Sequence, residues 1–317
     1  MNAFTDIKHL GNVRHPIGKP YRQLAVEYDR ETRSVWTYLQ PQGTPCFNLG
    51  LLGELIDNHR TLAANGGKVL CNGNLEPVDY IIGGSRTPHV FNYGGDLALF
   101  VLLIKSRDRE ALLHYAKQCI DCLHGRLLSY ETNAITISLV QGEALGGGFE
   151  SALSSHVIVA EQSSRMGFPE ILFNLFPGMG AYSLVSRRIG ARAAEEMISS
   201  GKIYSATELH EMGLVDVLAA DGQGENAVYD FIRKNERRRN GLRAMYECRR
   251  HTTPISYDEL MGITEAWVDA ALRLDDRDLK MMGRLVRSQQ KQLALRKAGH
   301  VAEPGGEAVE DALVLAE

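Results

Sequence analysis

The chain has 317 residues, 44% of them hydrophobic and 23% charged, with a formal net charge of −4. That balance offers nucleic acid or a membrane surface no electrostatic footing, and no apolar run approaches the length of a membrane-spanning helix. Five scattered cysteines are too few and too dispersed for a disulfide framework, and the first residues lack a basic-then-apolar signal pattern, so the cytoplasm is the expected compartment.

In chain order, residues 1–20 are polar and read as an irregular arm. Leu24–Tyr28 and Ser34–Leu39 read as two strands around a charged turn at Asp29–Thr32. Pro41–Pro45 is a loop, and Asn48–Ala64 a helix with Leu49, Leu52, Leu55 and Ile56 on one face. Tyr80–Ile82 and Val90–Phe91 are short strands, followed by helices over Leu97–Lys105 and Arg109–Leu128. Ala134–Val140 is an apolar, β-branched strand. It runs into Gln141–Glu150, where a helix starts inside three consecutive glycines. Val157–Ala160 is another strand, Met166–Glu170 is extended because of Pro169, and Pro177–Gly180 is a turn that opens a helix. Ser205–Glu208 has the form of a capping box, and Val215–Leu218 is a last short strand. From Asn226 onward nearly everything reads as helix, with a break at Thr253–Pro254. The fold class is therefore α/β with a helical C-terminal part that packs on the core or on a neighbouring subunit. The boundaries expected are an arm over 1–20, a core over 21–220, a helical region over 221–298 and a flexible tail over 299–317.

Two glycine turns, Gly94-Gly95-Asp96 and Gly146-Gly147-Gly148, both follow apolar β-like runs. If they meet in space, each can offer a backbone N–H to an oxyanion. Glu143 and Glu150 flank the second turn, and Glu170 follows Pro169 at what reads as a strand end. Two carboxylates facing one site can divide acid and base roles if their environments separate their pKa values.

Other motifs carry less. Cys119-Ile120-Asp121-Cys122 lies in a helical stretch without a second ligand pair, and reads as two cysteines on one helix face. The histidines form no H-x-x-x-H pair, and neither a G-x-G-x-x-G nor a Walker pattern is present, so no metal, dinucleotide or nucleotide site is expected. The arginines between Arg233 and Arg250 read as a solvated helix face, with a dock for an acidic partner as the sharper alternative. Met179, Trp267 and Leu285 read as core residues.

Around Phe91–Asp96 and Ala144–Glu150 the chain resembles the crotonase (enoyl-CoA hydratase/isomerase) superfamily, and Phe168–Leu172 with Phe176–Gly180 continues the likeness. The stretches Val90–Phe100, Glu170–Tyr182 and Ile263–Asp269 are similar to the bacterial diffusible signal factor synthases. The superfamily resemblance implies a spiral of ββα units capped by C-terminal helices that drive assembly into trimers or dimers of trimers. It also implies a thioester carbonyl held by the N–H groups of Gly95 and Gly147, with Glu150 and Glu170 as the catalytic pair; Glu143 is not a catalytic position in that pattern. The synthase resemblance implies dehydration of a 3-hydroxyacyl chain on acyl carrier protein. Hydrolysis of the cis-2-enoyl thioester would then release a cis-2-unsaturated fatty acid, a quorum-sensing signal. No cofactor beyond the thioester carrier is implied. On this likeness Met179, Trp267 and Leu285 become plausible lining for the acyl chain.

One departure bears on the carrier. The loop Pro41–Asn48 lacks the Arg/Lys pattern common in coenzyme A-binding relatives, which leaves room for acyl carrier protein. An enoyl-CoA hydratase of fatty-acid breakdown is the alternative enzyme reading. A regulatory partner of a signalling protein such as a sensor kinase is the non-catalytic one. Which glutamate is the acid is left open by the sequence.

Overall fold

The computed structural model describes residues 13–297. Strand β1 (Arg14–Pro16) pairs antiparallel with β2 (Leu24–Asp29), which turns back into β3 (Ser34–Leu39). The arm expected over 1–20 thus contains a strand; the expectations for 1–12 and for the 299–317 tail lie outside the described residues. At the charged turn, Asp29 Oδ1 accepts from the N–H groups of Glu31 and Thr32, an Asx turn. Helix α1 (Leu49–Ala64) starts at Asn48, whose side chain accepts from Leu51 N. A hairpin follows where none was expected, β4 (Lys68–Cys71) and β5 (Asn74–Pro77). Its tip is Asn72-Gly73, both at positive φ (50° and 81°), the backbone a two-residue primed turn requires.

From here the chain winds as a coil in which each turn lays one strand on a large sheet, a second on a small sheet, and then forms helix. The first turn is β6 (Tyr80–Ser85), β7 (Val90–Asn92), α2 (Leu97–Lys105) and α3 (Arg109–Leu127). The second is β8 (Ile135–Val140), β9 (Glu143–Leu145) and α4 (Gly147–Leu153). The third is β10 (Val157–Glu161), β11 (Arg165–Gly167), a 3-10 turn over Pro169–Phe173, α5 (Ala181–Ile189) and α6 (Ala191–Ser200). Strand β12 (Ile203–Ser205) pairs antiparallel with β11. Helix α7 (Ala206–Glu211) follows, opened by the expected capping box at Ser205 and Glu208, and β13 (Val217–Ala219) ends the large sheet. The large sheet runs β1-β2-β3-β6-β8-β10-β13, parallel from β3 onward, and the small one β12-β11-β9-β7.

The remaining helices are α8 (Gly224–Asn235), α9 (Arg239–Thr252), α10 (Tyr257–Ala271) and α11 (Asp276–Lys297). The large sheet is buried on both faces, which is why β8 reads as a continuous apolar run rather than an alternating one. Val35, Ile81, Val140 and Ile158 belong to the main core shared with α1, α3, α4 and α10. Trp36, Tyr80, Ile137 and Val159 on the other face pack with Val228, Ile232 and Tyr246 of α8 and α9. These two helices therefore close over the chain's own sheet.

The arginine-rich stretch is not purely a solvated face. Arg239 and Arg243 turn inward with Arg33 onto the buried carboxylate of Asp79. Cys119 and Cys122 are half-buried free thiols on α3. No helix among the described residues is long and apolar enough to cross a membrane.

Candidate active site

The two glycine turns occupy equivalent corners of successive turns of the coil, each between a small-sheet strand and a helix. Parallel pairing of β7 with β9 brings them together. A Cβ added to Gly94 (φ +87°) would lie 2.7 Å from both Gly147 N and Leu145 O, and one added to Gly147 would lie 3.5 Å from Gly95 N. Only glycine permits this approach at position 94. The first turn is also held from outside: Gly94 O accepts from Phe47 N at 2.8 Å. The Tyr115 hydroxyl accepts from Asp96 N at 3.1 Å and donates to Phe47 O at 2.5 Å. Among the described residues, the N–H groups of Gly95 and Gly147 donate to no protein acceptor. Both residues line the main cavity.

Glu150 sits in α4 at 1% exposure, and its Oε1 accepts from Met179 N at 2.9 Å and Ala181 N at 2.8 Å. The turn that supplies these donors is pinned by Thr264, whose hydroxyl donates to Gly178 O at 3.0 Å. Burial pushes the Glu150 carboxyl up to about 7, against the lowering effect of the two backbone donors. Glu170 enters from the third turn of the coil. It lies in the 3-10 turn, not at the strand end expected, because Pro169 opens that turn and Asn174 ends it in the left-handed conformation. Its Oε2 is buried without a hydrogen-bond partner, and its Oε1 is seated over Gly146, where a Cβ would come within 2.2 Å. Burial first, and then the charge of Glu150, push its carboxyl up to about 8. Both carboxyls are therefore raised by burial, and Glu170 further by the charge of Glu150, while the two backbone donors on Glu150 oppose its rise.

Met179, Trp267 and Leu285 all line the same cavity while also belonging to the main core. Trp267 is 2% exposed, stacks edge-on against Phe100 at 5.0 Å between centroids, and fills the space left by Gly178. Met179 is in the turn before α5 rather than on a helix, and there its N–H meets Glu150. Glu143 stands apart on β9, its Oε2 accepting from the Tyr93 hydroxyl at 3.2 Å, and does not line the cavity.

The cavity also extends where sequence reasoning did not look. It passes behind α1, along Leu52, Leu55 and Leu62, to the inner face of the large sheet at Val26, Val35 and Ile81. An amphipathic helix face reads as core whether it meets a neighbour or encloses a void, so periodicity holds no signal for this branch. The donors Met179 N and Ala181 N had a fainter one: a Gly/Pro turn just after Glu170.

The family model described as "Enoyl-CoA hydratase/isomerase" matches residues 78–254, more than half of the chain. The chain is 38% identical over 99 residues to the fatty acid oxidation complex subunit alpha of Pseudomonas syringae pv. tomato, covering 31% of this chain and 14% of that protein. It is 39% identical over 100 residues to human mitochondrial enoyl-CoA hydratase domain-containing protein 2, covering 32% of this chain and 34% of that one. The match therefore spans about a third or less of either relative. Among solved structures, Pseudomonas aeruginosa DspI superposes with a TM-score of 0.62 at 20% identity, covering 75% of this chain and 91% of that one. An enoyl-CoA hydratase from Mycobacterium avium subsp. paratuberculosis superposes with a TM-score of 0.66 at 15% identity, covering 86% and 98%. At these identities the structural likeness speaks for the fold.

Proposed function

Because the chain belongs to the enoyl-CoA hydratase/isomerase family, we propose that its cavity adds or removes water across the α,β bond of an acyl thioester, with Glu150 and Glu170 as the acid–base pair. The observation that carries this reading is a pair of buried carboxyls lining one cavity beside two free backbone N–H groups. The N–H groups of Gly95 and Gly147 receive the thioester oxygen as it gains enolate charge. One such donor contributes roughly 2.7–4 kcal/mol of transition-state stabilisation. In the hydration direction ionised Glu150 takes a proton from water and Glu170 delivers one to the α-carbon. In the dehydration direction the pair works from the opposite tautomer: Glu170 takes the α-proton and Glu150 protonates the departing 3-hydroxyl.

The finer reading is that the physiological direction is dehydration of a 3-hydroxyacyl chain on acyl carrier protein, followed by hydrolysis to a free cis-2-unsaturated acid that serves as a signal. Water attacks the thioester carbonyl, the tetrahedral oxyanion occupies the same two N–H groups, and the carrier leaves as its thiol. The long apolar cavity and the loop Pro41–Asn48, without a basic residue for coenzyme A, support this reading. An enoyl-CoA hydratase of fatty-acid breakdown is favoured by the names of the relatives matched. Incubation with 3-hydroxyacyl carrier protein and mass spectrometry of the products separates the two: free unsaturated acid is expected, and hydration of trans-enoyl-CoA without release of acid would replace this reading with the second.

Trp267 forms part of the cavity wall in this proposal, packed against Phe100 of α2. Trp267→Phe keeps a ring against Phe100 while opening space, and is expected to shift the preferred acyl chain towards greater length. An unchanged product profile in the folded variant would remove Trp267 from the acyl pocket.

A further inference from the structure

The same cavity holds a buried cation away from the two carboxyls. Arg126, in the last turn of α3, is 9% exposed and is the most buried arginine among the described residues. Its guanidinium donates to Ser155 Oγ at 2.8 Å, the Tyr130 hydroxyl at 2.9 Å, Ile137 O at 2.8 Å and, weakly, Ser138 Oγ at 3.5 Å. Every one of these partners is neutral, and no carboxylate among the described residues forms an ion pair with it. Three other half-buried arginines are matched: Arg14 meets Glu225, Arg187 meets Glu259, and Arg243 meets Asp79. An arginine keeps its proton in a protein, and a buried charge without a counter-charge is strongly disfavoured.

The surroundings have the form of a site. The guanidinium lies flat against Gly83, where a Cβ would stand 3.0 Å from Nη2. His59 stacks on Tyr130 at 4.0 Å between centroids, and burial together with the charge of Arg126 holds its pKa down to about 3, so it is a neutral hydrogen-bonding wall. Arg126, His59, Tyr130 and Ser138 line the cavity, as does Ser154, one helical turn beyond Glu150 on α4. That turn sets an axial offset of about 6 Å. The same cavity is lined by Leu55 and Leu62 of α1 and by Val26 and Val35 of the large sheet.

We propose that Arg126 is an anion-binding group in the inner cavity, and that its ligand is a carboxylate on an alkyl chain. The carboxylate supplies the missing counter-charge, and the chain lies along the apolar wall of Leu55, Leu62, Val26 and Val35. This chemistry has two sources: an unesterified fatty acid entering head first, or the far-end carboxylate of a dicarboxylic acyl thioester. The inference concerns binding alone, so it stands or falls separately from the reaction proposed above.

The test is calorimetric titration of the full chain with decanoate, decanol and methyl decanoate, together with decanoyl and decanedioyl thioesters of coenzyme A. Decanoate is expected to bind at least tenfold more tightly than either neutral analogue. A dicarboxylic source adds a tenfold preference for the decanedioyl over the decanoyl thioester; a fatty-acid source does not. Arg126→Met should abolish each preference while leaving decanol binding intact, and Arg126→Lys should retain part of it. Equal affinity of the native chain for decanoate and decanol, with no preference between the thioesters, would overturn the proposal. So would a preference that survives Arg126→Met; the first comparison needs no variant.

Discussion

Glu150→Gln and Glu170→Gln should each lower turnover of a 3-hydroxyacyl thioester by about 10²–10⁴-fold, the range for removing one acid–base group. The double variant should lose little more than the worse single one, because groups that act as a unit are not additive. Near-native turnover in the double variant would end the catalytic assignment. The same substitutions have a stability signature. Both carboxyls are raised, from 4.5 to about 7 and to about 8, so between pH 4.5 and 8 the folded chain holds protons that the unfolded chain has released. Stability from this source is complete below the unfolded value of 4.5, falls as pH rises through the window, and levels off above it. Glutamine removes that loss. The double variant should therefore gain on the native protein with rising pH, by several kcal/mol and at most about 8 kcal/mol at pH 8.5 relative to pH 4.5, in denaturant titrations. A parallel pH dependence of the two proteins would mean that neither carboxyl is desolvated as the geometry implies.

Gly146→Ala should be nearly as damaging to activity although it replaces no ionisable group. Gly146 has φ +52° and ψ −123°, a conformation costly for an L side chain, and the new Cβ would stand 2.2 Å from Glu170 Oε1. The carboxyl has to leave its seat. We expect at least a 10²-fold loss of turnover and about 1–3 kcal/mol of stability. Combining Gly146→Ala with Glu170→Ala should restore part of the stability and none of the activity. If the double variant is no more stable than Gly146→Ala alone, the backbone strain and not the displaced carboxyl accounts for the loss.

What was readable in the sequence follows the length of each pattern. The long strands and most helices show in their periodicity, and the helix opening within Gly146–Gly148 shows in the sharp change from a β-branched run. Strands β1, β9, β11 and β12 have three residues each, too few for alternation to be seen. The β4–β5 hairpin did carry a signal, Asn72-Gly73, and its flanks alternate in burial on β4. At the site, the partnership of the two glycine turns with Glu150 and Glu170 was visible only through family resemblance, because the residues are brought together by strands far apart in sequence. The conformation at Glu170 was misread because proline before glutamate suits an extended chain and the first turn of a 3-10 helix equally. Arg126 did leave a trace that went unread: it continues the buried stripe of α3 after Ile120 and Leu123, where an arginine is out of place.

The coil also explains how the site keeps its dimensions. Gly95, then Gly147 with Glu150, then Glu170 come from the same corner of three consecutive windings, and β7, β9 and β11 run parallel side by side beneath them. The gauge between one corner and the next is thus the strand spacing itself, about 4.8 Å, repeated by hydrogen-bond geometry rather than tuned by side chains. A chain built this way can lengthen or shorten the far side of any winding, as the two helices of the first and the single short helix of the second already do. The ruler that sets the corners apart is left untouched.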